Sequence, residues 1–584
     1  MNRRELAIVT AKAALASAIG GAAILGGAQA QTDDAGPRAA VPRAKQPNIV
    51  FIFTDQERYL RSLPPGLSLP GRERLQRAGV TFHNHYCPAA MCTSSRAVLL
   101  TGLQVPNNRM FDNCDVPWVR DLSTDIPTIG HMLRKAGYYT AYKGKWHLSR
   151  KFEVVDRLDR LNEQMDKYGF SDFHSPGDIM AHDRGGYEFD HLITGTAVTW
   201  LRRKGQPLSD AGKPWCLFVS LINPHDIMYF NTDLPGTKVQ DTGVLFMHAA
   251  RAPDNALYDA QWDMPVADSL RQPFDEPGRP KAHGEFENMW RYVLGRIPPE
   301  EDRWRRFNNF YINSIRSVDM QVESILKELA ALRLSDHTIV VFTSDHGEMA
   351  GAHGLRGKGP FAYEQNIHLP LHVVHPDVKG GQDCRALTGH IDLVPSLLAM
   401  AGVDATRRAD FAGADLPGKD LTPLFTNPAA ADLHAAREGV LYTYSCLATN
   451  DSGIYRIAAE AKAAGKRPAL AVLKERYVPD LHKRGSVRTV FDGRYKFSRY
   501  FAPLDHNRPT TIDQLYQWND VELFDLQADP AEMHNLAVAK AENQDLIMAM
   551  NAKLDALIAA EIGVDDGHEL PDIPLVSWTI DRVS

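Results

Sequence analysis

Cysteine is scarce here and badly spaced for metal. The six cysteines (Cys87, Cys92, Cys114, Cys216, Cys384 and Cys446) are scattered through 584 residues with no Cys-x-x-Cys pair, which argues against zinc held by thiolates. Spacing alone assigns no disulfide among them. Lys/Arg runs are also missing, and a net charge of −7 is small for this length. A basic face for nucleic acid is therefore not expected, and a neutral or anionic small substrate must be handled locally. Internal repeats are not evident. A long apolar run is lacking too: the stretch from about Ala13 to Leu25 is short and Gly-rich for a membrane span, so no stable membrane anchor is expected. It follows Arg3 and Arg4 and precedes Ala28-Gln29-Ala30, which reads as an export signal peptide over residues 1–30. The expected destination is the bacterial periplasm, by the Sec or the twin-arginine route. Residues 31–46 are polar and Ala/Pro-rich, a flexible tether.

What is present is a recurring pattern. A short β-branched or aromatic run, read as a buried strand, leads at once into residues able to do chemistry. Ile49 to Phe53 runs into Asp55-Gln56, and Tyr138 to Tyr142 runs into Lys143-Gly144-Lys145-Trp146-His147. Cys216 to Leu221 runs into Asn223-Pro224-His225, and Thr338 to Phe342 into Asp345-His346-Gly347-Glu348. Helical spacing lies between some of these runs, most clearly at Ile312, Ile315, Val318, Val322, Ile325 and Leu329. The alternation predicts an α/β fold with a mostly parallel, doubly wound central sheet flanked by helices. Ligands of such sheets bind beyond the carboxyl ends of the strands, where all four polar clusters would converge. After about Phe425 the composition changes. Val487 to Val490 and Tyr495 to Ser498 flank Asp492-Gly493, a hairpin signal. Val521 to Leu526 reads as a further strand, and Asn543 to Ile562 as a closing helix. The expected division is a catalytic α/β domain over 47–425 and a smaller C-terminal α+β subdomain over 426–584.

Cys92 stands just before a predicted helix with Arg96 in its first turn. A helix N-terminus offers free N–H groups to an anionic ester and also activates a plain thiol, although a lone cysteine is more often structural. Asp55, Gln56, Asp345 and His346 supply oxygen donors and an imidazole at two strand ends, enough for one divalent cation. Singly, each is an ordinary cap or turn residue; as a convergent set they favour a metal. Lys145, His147, His225 and Lys358 are candidate cationic or proton-donating groups, again through convergence.

These segments, in this order, resemble the sulfatase family of the alkaline-phosphatase-like superfamily, the formylglycine-dependent type I sulfatases. The resemblance rests on Pro47 to Asp55, Cys92 to Gly102, Gly144-Lys145-Trp146-His147, Thr343 to Glu348 and Gly357-Lys358-Gly359. It extends through Asp392 to Leu398 and Glu522 to Leu526, then Asp529-Pro530 to Asn535-Leu536. It implies that a formylglycine-generating maturation enzyme oxidises Cys92 to formylglycine, whose hydrate attacks sulfur with one hydroxyl. His225 or Lys358 would assist the leaving alcohol. Deprotonation of the second hydroxyl near His147 would then release sulfate, an escape closed to an ordinary serine ester. Arg96 and Lys145 would steady the hydrate. Asp55, Gln56, Asp345, His346 and the modified Cys92 would hold Ca2+, with Mn2+ or Mg2+ as alternatives.

Two positions depart from the family pattern. Ser94 replaces the usual Pro two residues after the cysteine, and Gln56 replaces an Asp. The pairs Asp-Gln and Asp-His resemble the branch holding choline sulfatases and phosphonate monoester hydrolases, whereas Lys145 with His147 looks more like a sulfatase. The expected substrate is a small-molecule or carbohydrate sulfate ester: aryl, choline or sugar sulfate. The alternatives are a phosphonate monoester or phosphodiester hydrolase, and a non-catalytic binder of sulfated ligands. Selectivity is expected in the loops Asn107 to Trp118, Ile227 to Gly284 and Asn450 to Arg484, with Arg109, Asp112 and Asn113 as candidate substrate contacts.

Overall fold

The computed structural model describes residues 46–116, 118–152, 157–175, 182–240, 247–466 and 479–571. The expected signal peptide and nearly all of the tether lie outside the described residues. Strand β1 (Asn48–Asp55) is buried at every position and apolar from Ile49 to Phe53 because both of its faces are covered. Alternation splits it between two cores: Ile49, Phe51 and Phe53 pack into one, Val50 and Ile52 into the other. With β2 (Val80–Tyr86), β3 (Tyr139–Gly144), β4 (Ser171–His174), β5 (Trp215–Pro224), β6 (Thr338–Ser344), β7 (His368–Val374) and β8 (Gln382–Gly389) it forms one sheet. The strand order is β4-β3-β5-β1-β6-β7-β2-β8. Every neighbouring pair is parallel except those of β7, which runs against both β6 and β2.

Helices cover both faces. The helix Cys92–Thr101 buries Ala97, Val98, Leu99 and Leu100 in the first core. On the other face, Gly185–Trp200 contributes Ile193, Ala197 and Trp200, and Glu301–Ala331 contributes Val318, Val322, Ile325 and Leu329. The expected doubly wound α/β sheet is therefore present. Four adjacent strands, β3, β5, β1 and β6, are those whose carboxyl ends carry the polar clusters. No helix among the described residues is long and apolar enough to cross a membrane. No disulfide joins any two of the six cysteines, all of them buried.

A second, antiparallel sheet is built from β9 (Val440–Tyr444), β10 (Ser486–Phe491), β11 (Tyr495–Phe501) and β12 (Asp520–Asp525) in the order β12-β11-β10-β9. Asp492 closes the β10–β11 hairpin by accepting from the backbone of Arg494 and Tyr495, and Gly493 takes the left-handed conformation that the turn needs. The helix Gln544–Glu561 covers one face through Ile547, Met550 and Leu554. Tyr442, Tyr444, Val487 and Tyr500 on the other face pack with Tyr86, Leu369 and Leu387 of the main sheet.

Glu522 of β12 is buried at this junction, accepting hydrogen bonds from the hydroxyls of Tyr500 (2.7 Å) and Tyr363 (3.0 Å). Burial pushes its carboxyl up to about 7, and the two tyrosine hydroxyls offset this only in part. A folded pKa above the unfolded value gives stability that is full below the unfolded pKa and is lost as pH rises through about 7. Glu522→Gln, which cannot ionise, should therefore gain on the parent between pH 5 and 8 by up to about 3 kcal/mol. Urea unfolding at the two pH values checks this; equal pH dependence in both proteins would refute it.

Candidate active site

The ends of β1 and β6 place Asp55 and Asp345 side by side, tied by the Asp345 N–H donating to Thr54 O (3.1 Å). Cys92, first residue of its helix, points its sulfur between them: Sγ lies 3.2 Å from His346 Nε2 and 3.6 Å from Asp55 Oδ1. One donor atom from each of Asp55, Cys92, Asp345 and His346 lies within 4.8 Å of the others, and all four residues are buried. His346 Nδ1 faces the carbonyl of Gly347 at 3.1 Å. That bond places the proton on Nδ1 and leaves Nε2 as a lone-pair donor turned to the cluster, as a metal-bound imidazole requires. Two carboxylates and one such imidazole, gathered out of water, fit a divalent cation of the harder kind.

Arg96 organises the carboxylates from beneath. Its guanidinium donates to Asp55 Oδ2 (2.9 Å), Asp345 Oδ2 (3.0 Å), the Lys145 carbonyl (3.0 Å) and Ser220 Oγ (2.8 Å). Lys145 Nζ donates to Asp55 Oδ2 at 2.7 Å. Burial alone would raise the Asp55 carboxyl, but Lys145, Arg96 and Lys358 outweigh it and hold the group well below the usual range. Lys145 turns inward because Gly144 precedes it in the left-handed region, φ 93°, where a Cβ would lie 1.9 Å from the Ser220 carbonyl.

His147 Nε2 lies 3.6 Å from Asp115 Oδ1. Burial and Lys145 lower its basicity, but the neighbouring Asp115 carboxylate and Cys92 raise it overall. His225 follows β5, and its imidazole is held neutral by burial, then by Lys145. Two carboxylates fix the chain on either side of it. Asp190 accepts from the N–H groups of Ile222 and Asn223, and Asp226 accepts from those of Gly186 and Tyr187 at the start of the helix Gly185–Trp200. Lys358 Nζ donates to Gln56 Oε1 at 2.8 Å.

The fold thus gathers Asp55, Gln56, Cys92, Arg96, Lys145, His147, His225, Asp345, His346 and Lys358 at one end of the central strands. The candidate substrate contacts divide. Asn113 Oδ1 accepts from the Thr93 N–H at 3.4 Å, beside Cys92. Arg109 is exposed at the end of a short helix. Asp112 is fully buried, its carboxylate taken by the N–H groups of Asn113 (2.8 Å) and Ala448 (2.9 Å). It ties its loop to Ala448, and burial pushes its carboxyl up to about 6. Asp115, Asp190, Asp226 and Ser220 carried no signal in the sequence, since each is defined by a partner distant in the chain.

The family model described as Sulfatase matches residues 47–403. The N-acetylglucosamine-6-O-sulfatase of Bacteroides thetaiotaomicron is 26% identical over 544 residues, covering 85% of this chain and 84% of that protein. The choline-sulfatase of Rhizobium meliloti is 27% identical over 386 residues, covering 61% and 68%. Among solved structures, one in complex with its substrate D-glucosamine-2-N,6-O-disulfate has a TM-score of 0.57 at 19% identity, covering 89% of this chain and 99% of that one. The phosphonate monoester hydrolase of Agrobacterium radiobacter has a TM-score of 0.60 at 18% identity, covering 88% and 96%. At these identities the solved structures establish the fold.

Proposed function

The chain belongs to the sulfatase family of sulfuric ester hydrolases; from this premise we propose that the Cys92 cluster hydrolyses a sulfate monoester to alcohol and sulfate. The observation that carries the reading is the place of Cys92 at a helix N-terminus, in contact with Asp55 and His346. Asp55, Gln56, Asp345, His346 and the modified Cys92 would hold one divalent cation, Ca2+ before Mn2+ or Mg2+, whose Lewis acidity offsets charge on the sulfuryl oxygens. Water adding to the formylglycine made from Cys92 would give a geminal diol, one hydroxyl of which attacks sulfur while deprotonation of the second releases sulfate and restores the aldehyde.

The remaining work falls to side chains of this chain. Arg96 and Lys145 fix Asp55 and Asp345 and neutralise charge around Cys92. Lys358, whose Nζ lies 2.8 Å from Gln56 Oε1, or His225 after β5 would supply the proton of the leaving oxygen. His147 faces Cys92 and is backed by Asp115, which suits it to take the proton of the second hydroxyl. A carbohydrate sulfate ranks ahead of aryl and choline sulfates, because the sugar sulfatase matches over 85% of the chain and the choline-sulfatase over 61%. Export, read from the first thirty residues, belongs to the same proposal.

The Asp-Gln and Asp-His pairs favour one second reading, a phosphonate monoester or phosphodiester hydrolase. The two separate on one preparation, made in a host with the maturation enzyme, by kcat/KM for 4-nitrophenyl sulfate and for an aryl phosphonate monoester. The sulfate is expected to lead by about tenfold or more, a difference of ~1.4 kcal/mol in transition-state stabilisation. A dominant phosphonate rate would reverse the assignment.

A further inference from the structure

We infer that Glu348 is a positioning residue: its carboxylate sets the orientation of the Gln56 amide and the place of Lys358, and it is the reason that glutamine stands at 56. The inference rests on the proposed reading for its catalytic meaning, and on geometry alone for the positioning. Glu348 is fully buried. One of its oxygens, Oε2, accepts from Gln56 Nε2. The other, Oε1, accepts from the N–H groups of Ala350 (2.9 Å) and Gly357 (2.7 Å). A single carboxylate thus joins the residue after β1 to the loop that carries Lys358.

A carboxylate can only accept, so the Gln56 amide must turn its NH2 toward Glu348. Its oxygen then faces the other way, where it meets the ammonium of Lys358 at 2.8 Å. The backbone of Gln56 is fixed independently. Its N–H donates to Asp345 Oδ1 (3.0 Å), its carbonyl accepts from the Tyr311 hydroxyl (2.8 Å), and its φ is 73°. Only the amide plane remains to be chosen; Glu348 draws the NH2 to one side, and Lys358, on the loop that Glu348 ties through Gly357, holds the oxygen on the other. A carboxylate at 56 would set two acidic groups in hydrogen-bond contact away from water, where both cannot stay ionised. A neutral amide meets Glu348 on one side and Lys358 on the other without that conflict.

The test is a reversal of polarity in the full-chain protein. Glu348→Gln, Gln56→Glu and the double variant are stripped of metal and titrated with Ca2+ by calorimetry; kcat and KM with 4-nitrophenyl sulfate are measured alongside. Each single variant opposes two like groups and should bind Ca2+ about 10–100-fold more weakly, the range usual for a lost supporting partner. In the double variant the amide and the carboxylate exchange places: the amide now at position 348 would donate to the carboxylate now at position 56, while its oxygen still accepts from Ala350 and Gly357. Affinity should return to within about threefold of the parent or better, a non-additivity that independent sites do not show. Wild-type affinity in Glu348→Gln, or a double variant no better than the weaker single, would overturn the inference. If Glu348→Gln alone fails to fold, Gln56→Glu against the double variant decides in the same way. Loss of the sulfatase reading would appear separately, as absent sulfate-ester turnover by the parent, and leaves the calorimetry intact.

Discussion

Replacing Cys92 by alanine is expected to lower kcat/KM for a sulfate ester by about 10^4-fold or more, the scale of losing a covalent nucleophile. The fold should survive, because the change removes one sulfur from a buried helix start whose packing is carried by Ala97 to Leu100. Cys92→Ser separates the chemical roles. Serine keeps the size and position of the group beside Asp55 and His346, so it can be sulfated once. It has no second hydroxyl on the same carbon, so the ester has no route to aldehyde and sulfate. The expected trace is a burst of alcohol close to one equivalent of enzyme, followed by near-zero turnover. Multiple turnover by the alanine variant at the parental rate would remove Cys92 from the reaction.

This prediction depends on convergence, and convergence was legible because the four adjacent strands are covered on both faces. A strand buried on both sides is apolar along its middle, so Ile49 to Phe53 and Thr338 to Phe342 stand out, and the polar residues that follow each run reach the strand end within two positions. Not every strand shows its nature so plainly. In β7, His368 and His372 break the apolar run, and each meets a partner that only the fold supplies: His368 Nε2 the His83 carbonyl at 2.8 Å, His372 Nδ1 Thr81 Oγ1 at 3.1 Å. No spacing announces such partners, and none announces that β7 reverses direction between β6 and β2.

The site divides along the same line. Residues adjacent to a strand end or a helix start, such as Asp55, Cys92 and Asp345, follow from local pattern plus topology. Residues that act by holding others do not. Asp115 matters through His147, Asp190 and Asp226 through the chain around His225, and Glu348 through Gln56. Asp112 shows the converse. As a polar residue in a loop it reads as a substrate contact, yet its carboxylate is consumed by the Asn113 and Ala448 N–H groups. Hydrogen-bond demand inside the protein, rather than exposure to ligand, explains its presence.

Arg96→Met is expected to cost about 3–5 kcal/mol of stability in metal-free protein, the range for removing one partner of a buried charge network. The side chain is fully buried over the ring of Phe53, its guanidinium carbon 5.0 Å from the centroid. Burial alone would lower its basicity, but Asp345 and Asp55 raise it above its usual value, so each carboxylate relies on it in turn. Without it, Asp55 keeps Lys145, while Asp345 retains N–H donors from Gln56 and His346 but no ion pair. Lysine is no substitute, because one ammonium cannot reach Asp55, Asp345, the Lys145 carbonyl and Ser220 together. A divalent cation between the same carboxylates would restore positive charge where the guanidinium is lost. Urea unfolding should therefore show a larger deficit in EDTA than in saturating Ca2+, since a ligand bound only by the folded state adds its binding free energy. A deficit below about 1 kcal/mol in EDTA, no more than an exposed pair is worth, would mean that the two carboxylates are not held as anions by Arg96, and the electrostatic account of the cluster would fall with it.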